Sequence, residues 1–342
     1  MDDINESIKW YASERPIYQA FANKVANLLK EILDVQGITF HAVTDRAKTV
    51  ESFKNKIQTI SVKPKDIQDL AGVRVIAHLK SDVDAIVKVI TAHFKVNPLL
   101  SKNKAHLLGT DKMGYQSVHL VVQLSDARAS LIEYKRFQGL VCEIQVRTVL
   151  QHAWAEIEHD RRYKFTGILP DDISRKFSLL AGTLELVDNG FESISKEIDN
   201  YSADISKKTQ EGNLNIPLNS TSLKQYFKDK FQGNNSIKFI FGPKDDRADE
   251  VIAELKVMGL NTLAELDIIF KPDIKEALLK FKEDTNLLGI IRDILMIYDI
   301  ENYFENAWDN NWGAISQGSI DFLKIFNIDV IPYIEKYGLS IN

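Results

Sequence analysis

The stretch Asp66-Ile67-Gln68-Asp69-Leu70-Ala71-Gly72-Val73-Arg74-Val75-Ile76-Ala77-His78-Leu79 decides the fold. From Val73 it alternates, with Val73, Val75, Ala77 and Leu79 on one side and Arg74, Ile76 and His78 on the other, which is strand periodicity. Ser81 is then placed to cap a helix carrying Val83, Ile86, Val87, Ile90 and Phe94. Two more alternating runs follow. Residues 117–124 set Val118, Leu120, Val122 and Leu124 against His119 and Gln123; residues 140–148 set Leu140, Cys142, Ile144 and Val146 against Glu143, Gln145 and Arg147. Together these predict an α/β fold, a mixed sheet flanked by helices. Its second face would collect Arg74, His119, Glu143, Gln145 and Arg147, a mixture suited to phosphate and metal, although a solvent-facing sheet also carries polar groups there.

Working outward, residues 17–34 space Ile17, Phe21, Val25, Leu28, Leu29 and Ile32 as an amphipathic helix that Gly37 ends. Residues 49–60 repeat the pattern with Val50, Phe53, Ile57 and Ile60 behind a Thr49 cap, and stack Lys48, Ser52 and Lys56 four apart on another face. From Asp171 to about Lys208 apolar residues recur at 177, 180, 184, 187, 191, 194, 198, 201 and 205. That unbroken seam predicts a long helix packed on a partner helix of its own chain or on a second subunit. Residues 210–222 read as a linker. Beyond it, Leu223, Tyr226 and Phe227, then Val251, Ile252, Leu255 and Met258, then Leu263 and Leu266 suggest helices. Gly259 stops the second and Thr262 caps the third. The expected organisation is residues 1–170, a long helix over 171–210, and a mostly helical domain over 211–342.

With 342 residues and 44% apolar content the chain can bury a core in each of about two domains. One cysteine and no apolar leader after Met1 favour a reducing cytoplasmic interior, and no run is long enough to span a membrane. Charge is uneven: residues 40–165 carry 20 basic against 13 acidic residues, and residues 213–342 carry 14 against 20. A basic segment inside an acidic chain points to a phosphorylated ligand. The last block has neither His nor Cys, which excludes the usual zinc-finger ligands.

Five phrases now fall in order: Arg46-Ala47-Lys48 with Ser52 and Lys56; residues 66–74 above; Gly114-Tyr115-Gln116-Ser117-Val118-His119; Glu143-Ile144-Gln145-Val146-Arg147-Thr148; and Trp154-Ala155-Glu156-Ile157-Glu158-His159 followed by Tyr163-Lys164. Together they resemble the synthetase domain of the RelA/SpoT family, of the small alarmone synthetase type. The resemblance implies a nucleotidyltransferase-like domain that moves pyrophosphate from ATP to the ribose 3′-hydroxyl of GDP or GTP, releasing AMP and the alarmones ppGpp or pppGpp of stringent-response signalling. Small synthetases of this type are often oligomers, and residues 171–210 are the expected contact. The residues agree with such chemistry, since displacement at a polyphosphate needs a divalent cation, cationic clamps and a carboxylate near the attacking hydroxyl.

Asp69 and Glu143 are the expected catalytic carboxylates and Mg²⁺ ligands, and Glu143 is also placed to orient or deprotonate the hydroxyl. Lys48, Ser52 and Lys56 are placed to grip the ATP phosphates. The resemblance adds Arg46 and Arg74 on either side of adenine, Tyr115 against guanine, and His119, Gln145 and His152 at the acceptor, with Arg147 and Lys164 as further cations. It departs from the family pattern at Asp111, Lys112 and Met113 and at Gln116, where positive charge is lost or displaced. His152 stands where some members have Asn. Those changes keep a second reading open: a toxic member that modifies the tRNA 3′ end, with residues 211–342 as its neutraliser or sensor. Retention of both carboxylates argues against a nucleotide-binding regulator with a dead site. Only about forty residues precede Arg46, so no alarmone hydrolase or manganese site is expected.

Overall fold

The computed structural model describes residues 4–59, 63–103, 117–165, 169–233, 237–241, 245–281 and 285–342. Two compact units emerge, residues 1–195 and 196–342, and the division falls inside one long helix.

The first unit is built on a mixed sheet. Its strands are β1 (Ala42–Ala47), β2 (Ala71–Ala77), β3 (Phe94–Val96), β4 (Lys102–Asn103), β5 (Val118–Leu124) and β6 (Cys142–Thr148), in the order β1-β2-β6-β5-β3 with β4 also on β5. Among the described residues of this sheet only β2 and β6 run parallel; the other pairings are antiparallel. The period-two reading holds, since Val73, Val75, Ala77, Leu120, Val122, Cys142, Ile144 and Val146 are all buried in one core.

Helix α1 (Ile4–Val35) packs on β1 and β2, and α3 (Lys80–His93) on β6 and β2. Between them in sequence, α2 (Val50–Thr59) opens where expected, with the Ser52 N–H donating to Thr49 Oγ1 at 3.1 Å. After β6 come α4 (Val149–Lys164), which contacts β6 and β2, and α5 (Asp171–Gln210).

Several expectations are corrected. The first helix starts at Ile4, not near residue 17, and carries Pro16 inside it. Pro16 forfeits one backbone hydrogen bond, but the turn before it is anchored by fully buried Tyr11, whose ring stacks 4.4 Å from that of Phe53. Ser81 is not the cap of α3: the helix begins at Lys80, and the Leu79 N–H donates to Asp82 Oδ2. Phe94 belongs to β3 instead of the helix. The presumed linker is partly structured, because Ile216 and Leu218 are buried and α6 (Ser220–Lys230) begins within it behind an Asn219 cap.

The second unit is mainly helical: α6, α7 (Ala248–Val257), α8 (Leu263–Ile269), α9 (Pro272–Phe281), α10 (Leu287–Asn302), α11 (Gln317–Ile325) and α12 (Ile331–Tyr337). Leu223, Tyr226, Phe227, Val251, Leu255, Leu263 and Leu266 enter its core as their spacing predicts. Gly259, at φ +80°, closes the turn after α7, a left-handed conformation that favours glycine, and the Glu265 N–H donates to Thr262 Oγ1 at the start of α8. Along α5 the seam is not uniformly covered. Ile205 is buried, whereas Leu180, Val187, Phe191, Ile194, Ile198 and Tyr201 are each at least 40% exposed.

Candidate active site

Strand register assembles the polar face. Arg74 of β2 pairs with Gln145 of β6, which pairs with His119 of β5; one step along, Arg46 of β1 pairs with Gly72, and Gly72 with Glu143. Side chains in register point to the same side, so five predicted residues share one surface. Helix α4 supplies the opposite wall. A cavity of about 370 Å³ lies between them, lined by Arg46, Arg74, His119, Gln145, Arg147, Trp154, Ala155, Glu156, Glu158 and His159.

Two carboxylates are held in different ways. Asp69, just before β2, takes Lys48 Nζ on Oδ2 at 2.7 Å and Lys56 Nζ on Oδ1 at 2.9 Å. Burial pushes its carboxyl pKa up, but the two ammonium groups together outweigh that and hold it below the ordinary carboxylate value. Glu143 lies within hydrogen-bond reach of His119 Nδ1, at 3.1 Å on Oε1, and accepts from Gln145 Nε2 at 2.7 Å on Oε2. Burial again opposes ionisation, and His119 foremost, with Gln145, turns the net shift downward against the repulsion from Asp69. Both groups are therefore anionic near neutral pH, and the Asp69 charge is felt at Glu143.

Glu156 links the cationic side of the cavity. Its Oε1 lies 2.8 Å from Arg74 Nη1, 3.5 Å from Arg147 Nη2 and 3.8 Å from His152 Nδ1. Arg147 is almost wholly buried, and burial followed by the nearby Arg147 charge lowers the His152 pKa. Ser52 is exposed at the first turn of α2, its Oγ accepting from the Thr49 hydroxyl at 2.8 Å; among the described residues it bonds to Thr49 and stands apart from the Lys48, Asp69 and Lys56 group. Asp111, Lys112, Met113, Tyr115 and Gln116 lie outside the described residues, as does the side chain of Lys164.

Residues 45–167 match the model of the region found in RelA/SpoT proteins. Two relatives come from Bacillus subtilis (strain 168). The GTP pyrophosphokinase YwaC is 26% identical over 210 residues, covering 58% of this chain and 97% of that protein. The GTP pyrophosphokinase YjbM is 26% identical over 169 residues, covering 48% and 77%. A crystal structure of small alarmone synthetase 1 from Bacillus subtilis aligns with a TM-score of 0.48 at 24% identity, covering 56% of this chain and 98% of that one.

The first unit also uses residues that the sequence reading passed over. From α1, Tyr11 Oη donates to the Lys48 carbonyl at 2.7 Å, Arg15 Nε donates to the same oxygen at 3.1 Å, and Gln19 Oε1 accepts from the Ala47 N–H at 2.9 Å. The Lys48 N–H in turn donates to the Leu70 carbonyl at 3.0 Å. These bonds fix the corner from which Lys48 reaches Asp69. A signal was present: Tyr11, Arg15 and Gln19 stand four apart on one helical face. Burial pushes the Tyr11 hydroxyl up to about 12, so it remains a donor.

Proposed function

We propose that this chain is a GTP pyrophosphokinase, moving the β,γ-pyrophosphoryl group of ATP to the ribose 3′-hydroxyl of GDP or GTP, with AMP and ppGpp or pppGpp as products. The observation that carries the reading is the pair of anionic carboxylates beside Lys48, Lys56 and an arginine-lined cavity on one sheet face. The names of the two relatives support the same reaction. They also set the tRNA-directed alternative behind it.

In this reading the planar guanidinium groups of Arg46 and Arg74 flank adenine in the cavity. Lys48 and Lys56, with Ser52 at the start of α2, meet the triphosphate. The acceptor 3′-oxygen attacks the β-phosphorus in line, and the bond from that phosphorus to the α,β-bridging oxygen breaks, leaving AMP. The hydroxyl proton passes to Glu143, a carboxylate held ionised by His119 and Gln145. His119, Gln145 and His152 face the acceptor, and Tyr115 is assigned to its guanine.

Two ionised carboxylates, with the charge of Asp69 felt at Glu143, are a hard-oxygen donor set that fits Mg²⁺. Asp69 and Glu143 would hold it, and when bound it supplies neutralisation of the polyphosphate charge. We assign synthesis alone, without hydrolysis. The nucleotide substrates support a cytoplasmic setting, and no helix among the described residues is long and apolar enough to cross a membrane. The exposed apolar row on α5 supports self-association there.

The test supplies γ-labelled ATP and Mg²⁺ with GDP, GTP and deacylated tRNA in parallel. Labelled guanosine tetra- or pentaphosphate is expected, persisting after ATP is exhausted. Label only on tRNA, or none from folded protein, refutes the reaction; decay of the product refutes the assignment of synthesis alone. Light scattering of the intact chain at several concentrations tests self-association, and a monomer throughout refutes it.

A further inference from the structure

Each oxygen of Asp69 is taken by a different ammonium group, Oδ2 by Lys48 and Oδ1 by Lys56. The three side chains are 16 to 29% exposed, so the pairs are only partly screened by water. The mount is also fixed. Lys48 is held through its backbone by Tyr11, Arg15 and Leu70, and Lys56 projects from a helix whose Phe53 is fully buried. The lysines assigned to phosphate and the carboxylate assigned to metal are thus engaged with one another.

That geometry makes the two ligands interdependent. A divalent cation arriving alone must displace two ammonium groups from Asp69 and then sit beside both. A metal-free polyphosphate must draw the lysines away and then face a bare carboxylate. Arriving together, the cation takes the carboxylate and the phosphates take the lysines, so each released charge meets an opposite one. We propose that Lys48, Asp69 and Lys56 form an electrostatic clasp that admits nucleotide and divalent cation together and resists either alone. The inference rests on the ATP reading above and adds that Asp69 opposes nucleotide binding whenever metal is withheld.

The clasp predicts substitutions of opposite sign. Asp69→Asn frees both lysines, so it is expected to tighten binding of a non-hydrolysable ATP analogue in EDTA by about tenfold. Lys56→Met frees one oxygen of Asp69, so it is expected to tighten binding of Mn²⁺ alone by roughly threefold to tenfold while weakening the Mg²⁺-analogue complex. Calorimetry on the intact chain reads the nucleotide, and the electron paramagnetic resonance signal of unbound Mn²⁺ reads the metal. A purely structural role for Asp69 or Lys56 would weaken binding in every arm.

Analogue binding to Asp69→Asn in EDTA that is no tighter than wild type overturns the proposal. So does Mn²⁺ binding to Lys56→Met that is no tighter than wild type, which decides the matter if Asp69→Asn does not fold. A wild-type chain that binds Mn²⁺ equally well with and without the analogue overturns it too. Failure of wild type to bind the analogue even with Mg²⁺ overturns the ATP reading itself, and the metal arms separate that result from failure of the clasp alone.

Discussion

Replacing Glu254 by Gln should damage the second unit far more than its single-atom change suggests. Glu254 is 1% exposed, and its Oε1 accepts from Arg292 Nη2 at 2.6 Å and Asn311 Nδ2 at 3.2 Å. Its Oε2 accepts from Arg292 Nε and from the Tyr303 hydroxyl, each at 3.0 Å. All four partners are donors, whereas an amide offers one acceptor oxygen and would turn its NH₂ against two of them. The buried Arg292 would also lose its bidentate counter-ion. Breaking a buried pair from one side costs about 3–5 kcal/mol. Glu250 remains 3.1 Å from Arg292 Nη2, which places the expected loss near the low end, about 3 kcal/mol. For a unit of this size that corresponds to a melting point roughly 6–12 °C lower. Trp308 and Trp312 lie in the affected region, the latter with its ring 5.6 Å from the Arg292 guanidinium, so urea unfolding followed by tryptophan fluorescence is the assay. Adding Arg292→Met should make the pair less costly than the sum of the singles by about 1–3 kcal/mol. A loss below about 1 kcal/mol for Glu254→Gln, or strictly additive singles, refutes the argument.

Glu143→Gln should lower pyrophosphate transfer by about 10²- to 10⁴-fold with the urea midpoint unchanged, because its oxygen can still accept from Gln145; undiminished turnover removes Glu143 from the chemistry. Arg74→Lys keeps the charge but loses the planar fork that meets Glu156, so steady-state kinetics should show KM for ATP raised about tenfold with a smaller change in kcat. Asp69 has a folded pKa below its ordinary value, so its ion pairs stabilise fully above that value and fade as pH falls through the depressed one. The stability of wild type relative to Asp69→Asn should accordingly shrink in urea titrations as pH drops from about 5 toward 2, and a constant difference would contradict the pairing.

Periodicity is legible where an element is long and one side is apolar. That is why β2, β5, β6, α5 and the caps Thr49 and Thr262 could be read directly. The first strand was not. It spans six residues with Thr44, Asp45 and Arg46 at its centre, and only Val43 and Ala47 are buried, so its strand character comes from pairing with β2. The three residues of β3 are too few to show a period, and Phe94 fits the preceding helix equally well by spacing.

The identity of the polar face was readable because strand alternation alone sorts Glu143, Gln145 and Arg147 from their neighbours. The partners of those side chains were not readable. Glu156 meets Arg74 from 82 positions away, and His119 meets Glu143 from 24 positions away. Nothing local encodes such pairings. They follow from the register of β5 on β6 and from the path of α4, both tertiary facts.

The strand order carries a consequence for synthesis of the protein. β6 is the last of the sheet's strands along the chain, yet it occupies the middle, between β2 and β5. Until it emerges from the ribosome, the β1–β2 hairpin and the β3–β5 pair have no common neighbour, and each presents an open hydrogen-bonding edge. Asp69 and Glu143 therefore cannot be brought to the same side of the sheet in any nascent chain shorter than about 150 residues. A prematurely terminated product would be aggregation-prone and would lack the candidate site. The topology thus ties assembly of the candidate site to translation having passed the last described strand of the sheet.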